Sequence, residues 1–222
     1  MKSAALIALA LTVTAAGSAH ATDEDFNTWL AQTASIGVGE KGVLWLEAQE
    51  RFTSDSSRLG QFQLRPMIGY KFTPTTTAYL GYVYTLNAPK GAASTQEHRV
   101  FQQLSVRLMG DGKGLTLSSR TRLEQRWVVD RDGVGWRLRQ QLRLTAPIND
   151  KLTGVVWTEP FVGLNKTSFQ QRDVTNWRNF VGVATPLSPT VTLEPGYINQ
   201  VVVRRGANRV DHILSMTLNT RF

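Results

Sequence analysis

Apolar and polar residues alternate along almost the whole chain with a period of two. In "LWLEAQERF", Leu44, Leu46, Ala48 and Phe52 stand against Glu47, Gln49 and Arg51; a little later Phe62, Leu64, Ile68, Tyr70 and Phe72 stand against Gln61, Gln63, Arg65 and Lys71. Successive side chains of an extended strand point to opposite faces, so this period marks strands with one apolar and one polar face. The pattern predicts eleven strands, at residues 26–38, 43–53, 60–72, 77–87, 96–109, 115–129, 134–147, 152–164, 175–185, 190–204 and 208–222, and no helix. Pro66, Pro160 and Pro195 fall inside these runs, where each removes a ladder hydrogen bond and points to a bulge or a displaced boundary.

Alternation alone fits two architectures: a water-soluble sandwich with its apolar faces inside, or a transmembrane barrel with its apolar faces outside. Length and charge separate them. Many runs reach 11–15 residues, beyond the roughly 5–6 usual for soluble strands and suited to a tilted bilayer crossing of ~9–11 residues with wet ends. Two neighbouring strands then carry Arg120, Arg122 and Arg126, and Arg137, Arg139 and Arg143, on the face they share with Glu124. Against lipid each arginine would cost up to ~2–4 kcal/mol at mid-depth. Their sum rivals a domain's whole stability of ~5–15 kcal/mol, so that face must meet water or ion-pair partners, and the leucine face is the lipid face. On the strand from Ala78, Leu80, Tyr82, Tyr84 and Leu86 supply aromatics suited to a membrane interface. The connections sort by length as well, with tight turns near residues 39–42, 73–76, 110–114, 148–151 and 186–189 and longer loops on average at the other end, the asymmetry of outer-membrane barrels. Such barrels have even strand numbers, so an antiparallel transmembrane barrel of about 10–12 strands is expected, with the first run outside the wall or one strand more.

The N-terminal "MKSAALIALALTVTAAGSAHA" has a lysine, a short apolar run and small residues at Ala19-His20-Ala21, the order of a cleaved export signal. Residues 1–21 are therefore expected to be a signal peptide and residues 22–222 a single barrel domain. Losing Lys2 lowers the formal charge from +8 to +7. An exported protein of this charge meets anionic lipid rather than nucleic acid. With no cysteine in the chain, packing and strand pairing must hold the fold.

The chain closes on "DHILSMTLNTRF", with Leu214, Met216 and Leu218 on the face of a terminal Phe222. This ending resembles the assembly signal by which outer-membrane barrels are recognised, and it implies the barrel assembly machinery as a partner, beside outer-membrane lipid. The blocks "FNTWLAQ", "EHRVFQQLSV", "SRTRLEQRW", "RLRQQLRLTAPI" and "DHILSMTL" resemble an uncharacterised bacterial family, a domain of unknown function grouped with outer-membrane β-barrels. The likeness runs through nearly all of residues 22–222 and implies fold and location, the bacterial outer membrane, but no activity.

Chemistry is sparse. His98 and His212 are the only histidines after residue 21, so neither a multi-histidine nor a cysteine metal site is available, and no cofactor is expected. A barrel acyl hydrolase acting on outer-membrane lipid is the rival function, since such enzymes use serine, histidine and an acidic or amide partner. Ser215 is three residues from His212 and Ser105 seven from His98, so each lies on the opposite face of its strand. "GDGKG" at residues 110–114 lacks the spacing and helix of a phosphate loop and reads as a turn. "NKT" at residues 165–167 is a chance glycosylation match in a bacterial protein. The candidate lumen residues are Arg120, Arg122, Glu124, Arg126, Arg137, Arg139, Arg143, Glu47 and Arg51. An interior excess of positive charge would draw small anions into a wet lumen, whereas interlocked Arg and Glu, joined by Glu97, Glu159 and Glu194, would close a narrow one. Lumen width decides between pore and plug.

Overall fold

The computed structural model describes residues 23–222; the expected export signal lies outside the described residues. Eleven strands form one closed barrel: β1 (Asp23–Val38), β2 (Gly42–Thr53), β3 (Arg58–Thr73), β4 (Thr76–Asn87), β5 (Thr95–Met109), β6 (Thr116–Val128), β7 (Gly135–Pro147), β8 (Thr153–Gly163), β9 (Asp173–Pro186), β10 (Val191–Val202) and β11 (Arg209–Arg221). No helix interrupts them among the described residues, and strand ends fall within three residues of the sequence expectation.

The expectation of an even strand number does not hold. The first run is a wall strand, and the barrel closes where β1 pairs with β11 in parallel, Phe26 beside His212 and Leu30 beside Met216. Geometry requires this: in an up-and-down chain of odd strand number the first and last strands point the same way, so the closing ladder must be parallel. Every other neighbouring pair is antiparallel. The C-terminus reinforces the seam, Phe222 N–H donating to Ser35 O at 2.9 Å.

Burial runs inside out relative to a water-soluble β-protein. Leu44, Leu46, Ile68, Leu80, Leu104, Leu142 and Val181 are exposed on the outer face, while Arg99, Arg122, Arg137, Arg139, Glu97, Glu124 and Glu159 are buried in the interior. Leu214 and Met216 lie on the outer face beside the seam, and Phe222 is exposed at the end. Polar residues on the outer face satisfy one another: Gln102 and Gln125 exchange amide hydrogen bonds at 3.2 and 3.1 Å, Thr121 donates to Gln140 at 2.6 Å, and Thr158 donates to Asn179 at 2.8 Å.

The three prolines stay inside their strands. Each interrupts one ladder only: the paired register skips Arg65 and Pro66 between β3 and β4, Glu159 and Pro160 between β7 and β8, and Glu194 and Pro195 between β9 and β10. A proline lacks the N–H that one neighbour needs, and the other ladder survives. In each case the residue before the proline is an inward ion-pair member, Arg65, Glu159 or Glu194.

The interior also holds two apolar clusters, Trp29, Val155, Phe180, Ile198 and Ile213 in one, Met67, Val83 and Phe101 in the other. Glycines make room for the rings: a Cβ on Gly81 would meet Phe101 at 2.2 Å, and one on Gly196 would meet Phe180 at 2.4 Å.

The parallel seam is open to a crosslinking test in this cysteine-free chain. Phe26→Cys with His212→Cys, and separately Leu30→Cys with Met216→Cys, are both expected to form disulfides on mild oxidation, read as a gel shift. An antiparallel seam would allow only one of the two.

Candidate functional site

The interior charge is built by register. β6 and β7 pair so that Arg122 faces Arg139 and Glu124 faces Arg137; β5 and β6 pair so that Arg99 faces Arg126. Like charges directly opposite repel. A glutamate resolves each conflict. Glu124 accepts from Arg137 at 2.5 Å and Arg139 at 3.0 Å, with Arg122 at 3.8 Å. Glu159 takes Arg139 at 2.9 Å and Arg120 at 2.8 Å, and Glu97 takes Arg99 at 2.7 Å and Arg126 at 2.6 Å. Nearer the short turns, Glu47 pairs with Arg65 and Glu194 with Arg143, each at 2.5 Å. All five glutamates singled out from the sequence thus lie against arginines.

These pairs form a charged layer in the lumen. Glu124 is fully buried, and Arg122, whose guanidinium lies 4.2 Å from the Phe101 ring centroid, donates to Gln103 through Nε at 2.9 Å. Above it, toward the long loops, a cavity of about 770 Å³ opens. Arg51, Arg126, Arg137 and Arg139 line this vestibule, whereas Arg120, Arg122, Glu124, Arg143 and Glu47 do not. Sequence reasoning missed most of the remaining wall: Arg99, Arg178 and Arg209, with Lys90 and Arg131 at the mouth and Trp29 below.

Loops shape the mouth. The loop between β8 and β9 folds inward through Gln170, which is buried, accepts from Arg126 at 3.0 Å and donates to Trp136 O at 2.8 Å. Asn165 in the same loop accepts from Trp136 N–H and donates to Val134 O, each at 2.8 Å. Opposite, Ser54, Asp55 and Ser56 all have φ near +57°. This left-handed run is unfavourable for L-residues by about 1–2 kcal/mol each. Asp25 on β1 offsets that cost by accepting from Ser54 N–H at 3.3 Å and Asp55 N–H at 3.0 Å. At the other end, "GDGKG" is a turn: Asp111 accepts from Lys113 and Gly114 N–H, which holds its carboxyl below the usual range.

His98 and His212, the histidines among the described residues, sit on the outer face. Nδ1 of His98 pairs with Tyr82 Oη at 2.5 Å and Nδ1 of His212 with Tyr197 Oη at 2.6 Å. Among the described residues, no His, Cys, Asp and Glu group is arranged to hold a metal.

Residues 26–211 match the family described as a protein of unknown function, DUF2490. The chain belongs to that family. An uncharacterised protein of Methylorubrum extorquens is 34% identical over 222 residues, covering 98% of this chain and 96% of that protein. Among solved structures, the NanC porin matches with a TM-score of 0.56 at 13% identity, covering 89% of this chain and 99% of that one. The DUF2490 chain therefore shares its closed β-barrel fold with that porin.

Removing one member of the buried layer leaves uncompensated charge, which costs about 3–5 kcal/mol. Glu124→Gln is expected to lower stability by that amount in unfolding followed by heat-modifiable gel migration. Asp23→Asn, at the exposed pair with Arg204 (3.1 Å), is expected to cost about 1 kcal/mol or less.

Proposed function

We propose that the protein is an outer-membrane barrel that admits small anions from the long-loop side into its vestibule, with the Arg–Glu layer as the constriction beneath. One observation carries this reading: the vestibule wall holds ten Lys and Arg side chains against three acidic ones, Asp25, Glu97 and Asp211. Fixed positive charge in a narrow wet space raises the local concentration of anions and repels cations.

Location rests on the outer face. A closed sheet has no unpaired edge, and its leucine-rich exterior suits hydrocarbon while its charges stay inside. β11, with Leu214, Met216, Leu218 and Phe222, is the segment offered to the assembly machinery, and it also forms the closing seam. The acyl-hydrolase alternative finds little support, because neither histidine hydrogen-bonds a serine among the described residues; both pair with tyrosines.

In planar bilayers the purified barrel is expected to give anion-biased conductance that falls when Arg122 and Arg139 become glutamine. Silence from a barrel that still shows heat-modifiable migration would reject the channel. Fractionation is expected to place the protein with the outer membrane, and its recovery among soluble periplasmic proteins would reject the location.

A further inference from the structure

Among the described residues, three guanidiniums of the vestibule stand outside its salt bridges, Arg131 at the mouth and, on the strands below it, Arg51 and Arg178. Arg65, Arg99, Arg126, Arg137, Arg139 and Arg209 each lie against a carboxylate. Arg51 on β2 and Arg178 on β9 make no salt bridge among the described residues and are held by neutral amides instead. Gln49 Oε1 accepts from Arg51 Nε at 2.8 Å and Nη2 at 2.6 Å, and Gln61 Oε1 accepts from Nη1 at 2.7 Å. Gln200 Oε1 accepts from Arg178 Nε at 2.6 Å.

Two of those amides, Gln200 and Gln61, are themselves fixed. Gln200 Nε2 donates to the buried Asp211 carboxylate at 2.5 Å, and Gln61 Nε2 donates to Asn87 Oδ1 at 2.5 Å. A carboxylate accepts only, so the Gln200 carbonyl is forced to turn toward Arg178. Aromatic rings complete the mounting. The Arg51 guanidinium lies 3.9 Å from the Trp29 ring centroid, and that of Arg178 lies 4.8 Å from Trp29 and 4.6 Å from Phe161. Glu159 faces Arg178 in the β8–β9 register but spends its oxygens on Arg139 and Arg120, so the two cations over one indole are oriented by neutral acceptors and carry no salt bridge of their own. The forked donors of Arg178 beyond Nε remain for a ligand, and a guanidinium fork matches a carboxylate or phosphate. The cavity, about 770 Å³, falls within the roughly 300–1,000 Å³ of small-molecule sites, so it has room for an organic anion and its water.

We propose that Arg51 and Arg178, mounted over Trp29, form a binding site for the oxyanion group, carboxylate or phosphate, of a small organic solute. The inference rests on the reading that the vestibule admits anions, and equilibrium binding separates the two. Calorimetric titration of the full barrel in detergent at low salt, with citrate, inorganic phosphate and sucrose, is the test. At least one oxyanion is expected to bind and sucrose is not; which anion binds tighter distinguishes carboxylate from phosphate recognition. Arg178→Gln and Arg51→Gln are each expected to weaken binding about tenfold or more, the scale of a lost charged hydrogen bond. Gln49→Glu, which sets a carboxylate against Arg51, is expected to do the same while keeping the guanidinium in place, and so serves if an arginine variant fails to fold. Absence of binding by either anion, or affinities unchanged in Gln49→Glu and Arg178→Gln, overturns the site. A barrel silent in bilayers that binds as described keeps the site and loses the pore; an anion-biased barrel without binding loses only the site.

Discussion

A guanidinium sealed inside a closed sheet must find its counter-charge among other inward-facing side chains, because the backbone of the wall is already used in ladders. That requirement organises the interior. Register sets Arg122 against Arg139 and Arg99 against Arg126, arrangements that would repel without Glu124, Glu159 and Glu97 between them. Two of the glutamates join strands that are not neighbours, Glu159 of β8 with Arg120 of β6 and Glu194 of β10 with Arg143 of β7, so the charge layer braces the barrel. Arg51 and Arg178 have no carboxylate within salt-bridge distance among the described residues, since Glu159, which faces Arg178, bonds Arg139 and Arg120 instead, and there the vestibule lies.

Closure constrains the outside in the same way. Eleven strands oblige β1 and β11 to run parallel, so the last strand made is also the one that seals the barrel. The prolines fit the same economy: each surrenders a ladder on one side only, beside a residue whose charge is spoken for inside. At each proline the ladder on the other side of the strand stays paired, so the sheet tolerates these local openings.

Much of this was legible in the alternation of residues. Period-2 patterning located every strand, and the argument that arginines avoid lipid assigned Leu44, Leu80 and Leu142 to the outer face, where they stand exposed. The eleven runs were themselves legible, and only the general rule of even strand numbers turned the expectation from them; the direction of the seam is a property of closure and leaves no mark on either strand's pattern. Arg178 was missed for a local reason. On β9 the inward positions change from polar Asn176 and Arg178 to apolar Phe180, while Trp177 faces out, so neither face is uniform. Trp29 and Phe101 likewise break the rule of a polar interior, because a narrow lumen is partly filled by rings; Gly81 and Gly196, inside strands, were the available sign of their close approach.

The most direct measurement is collision accessibility by electron paramagnetic resonance. Spin labels are placed singly on this cysteine-free chain in lipid vesicles, at Leu44, Leu80, Leu104 and Leu142 outside and at Thr53, Asn87 and Thr95 inside. Oxygen, which partitions into lipid, is expected to dominate at the leucines, and a water-soluble nickel reagent at the inward positions. Nickel access at the leucines, with oxygen favoured at the inward positions, would contradict an interior of guanidinium groups enclosed by a leucine-covered wall.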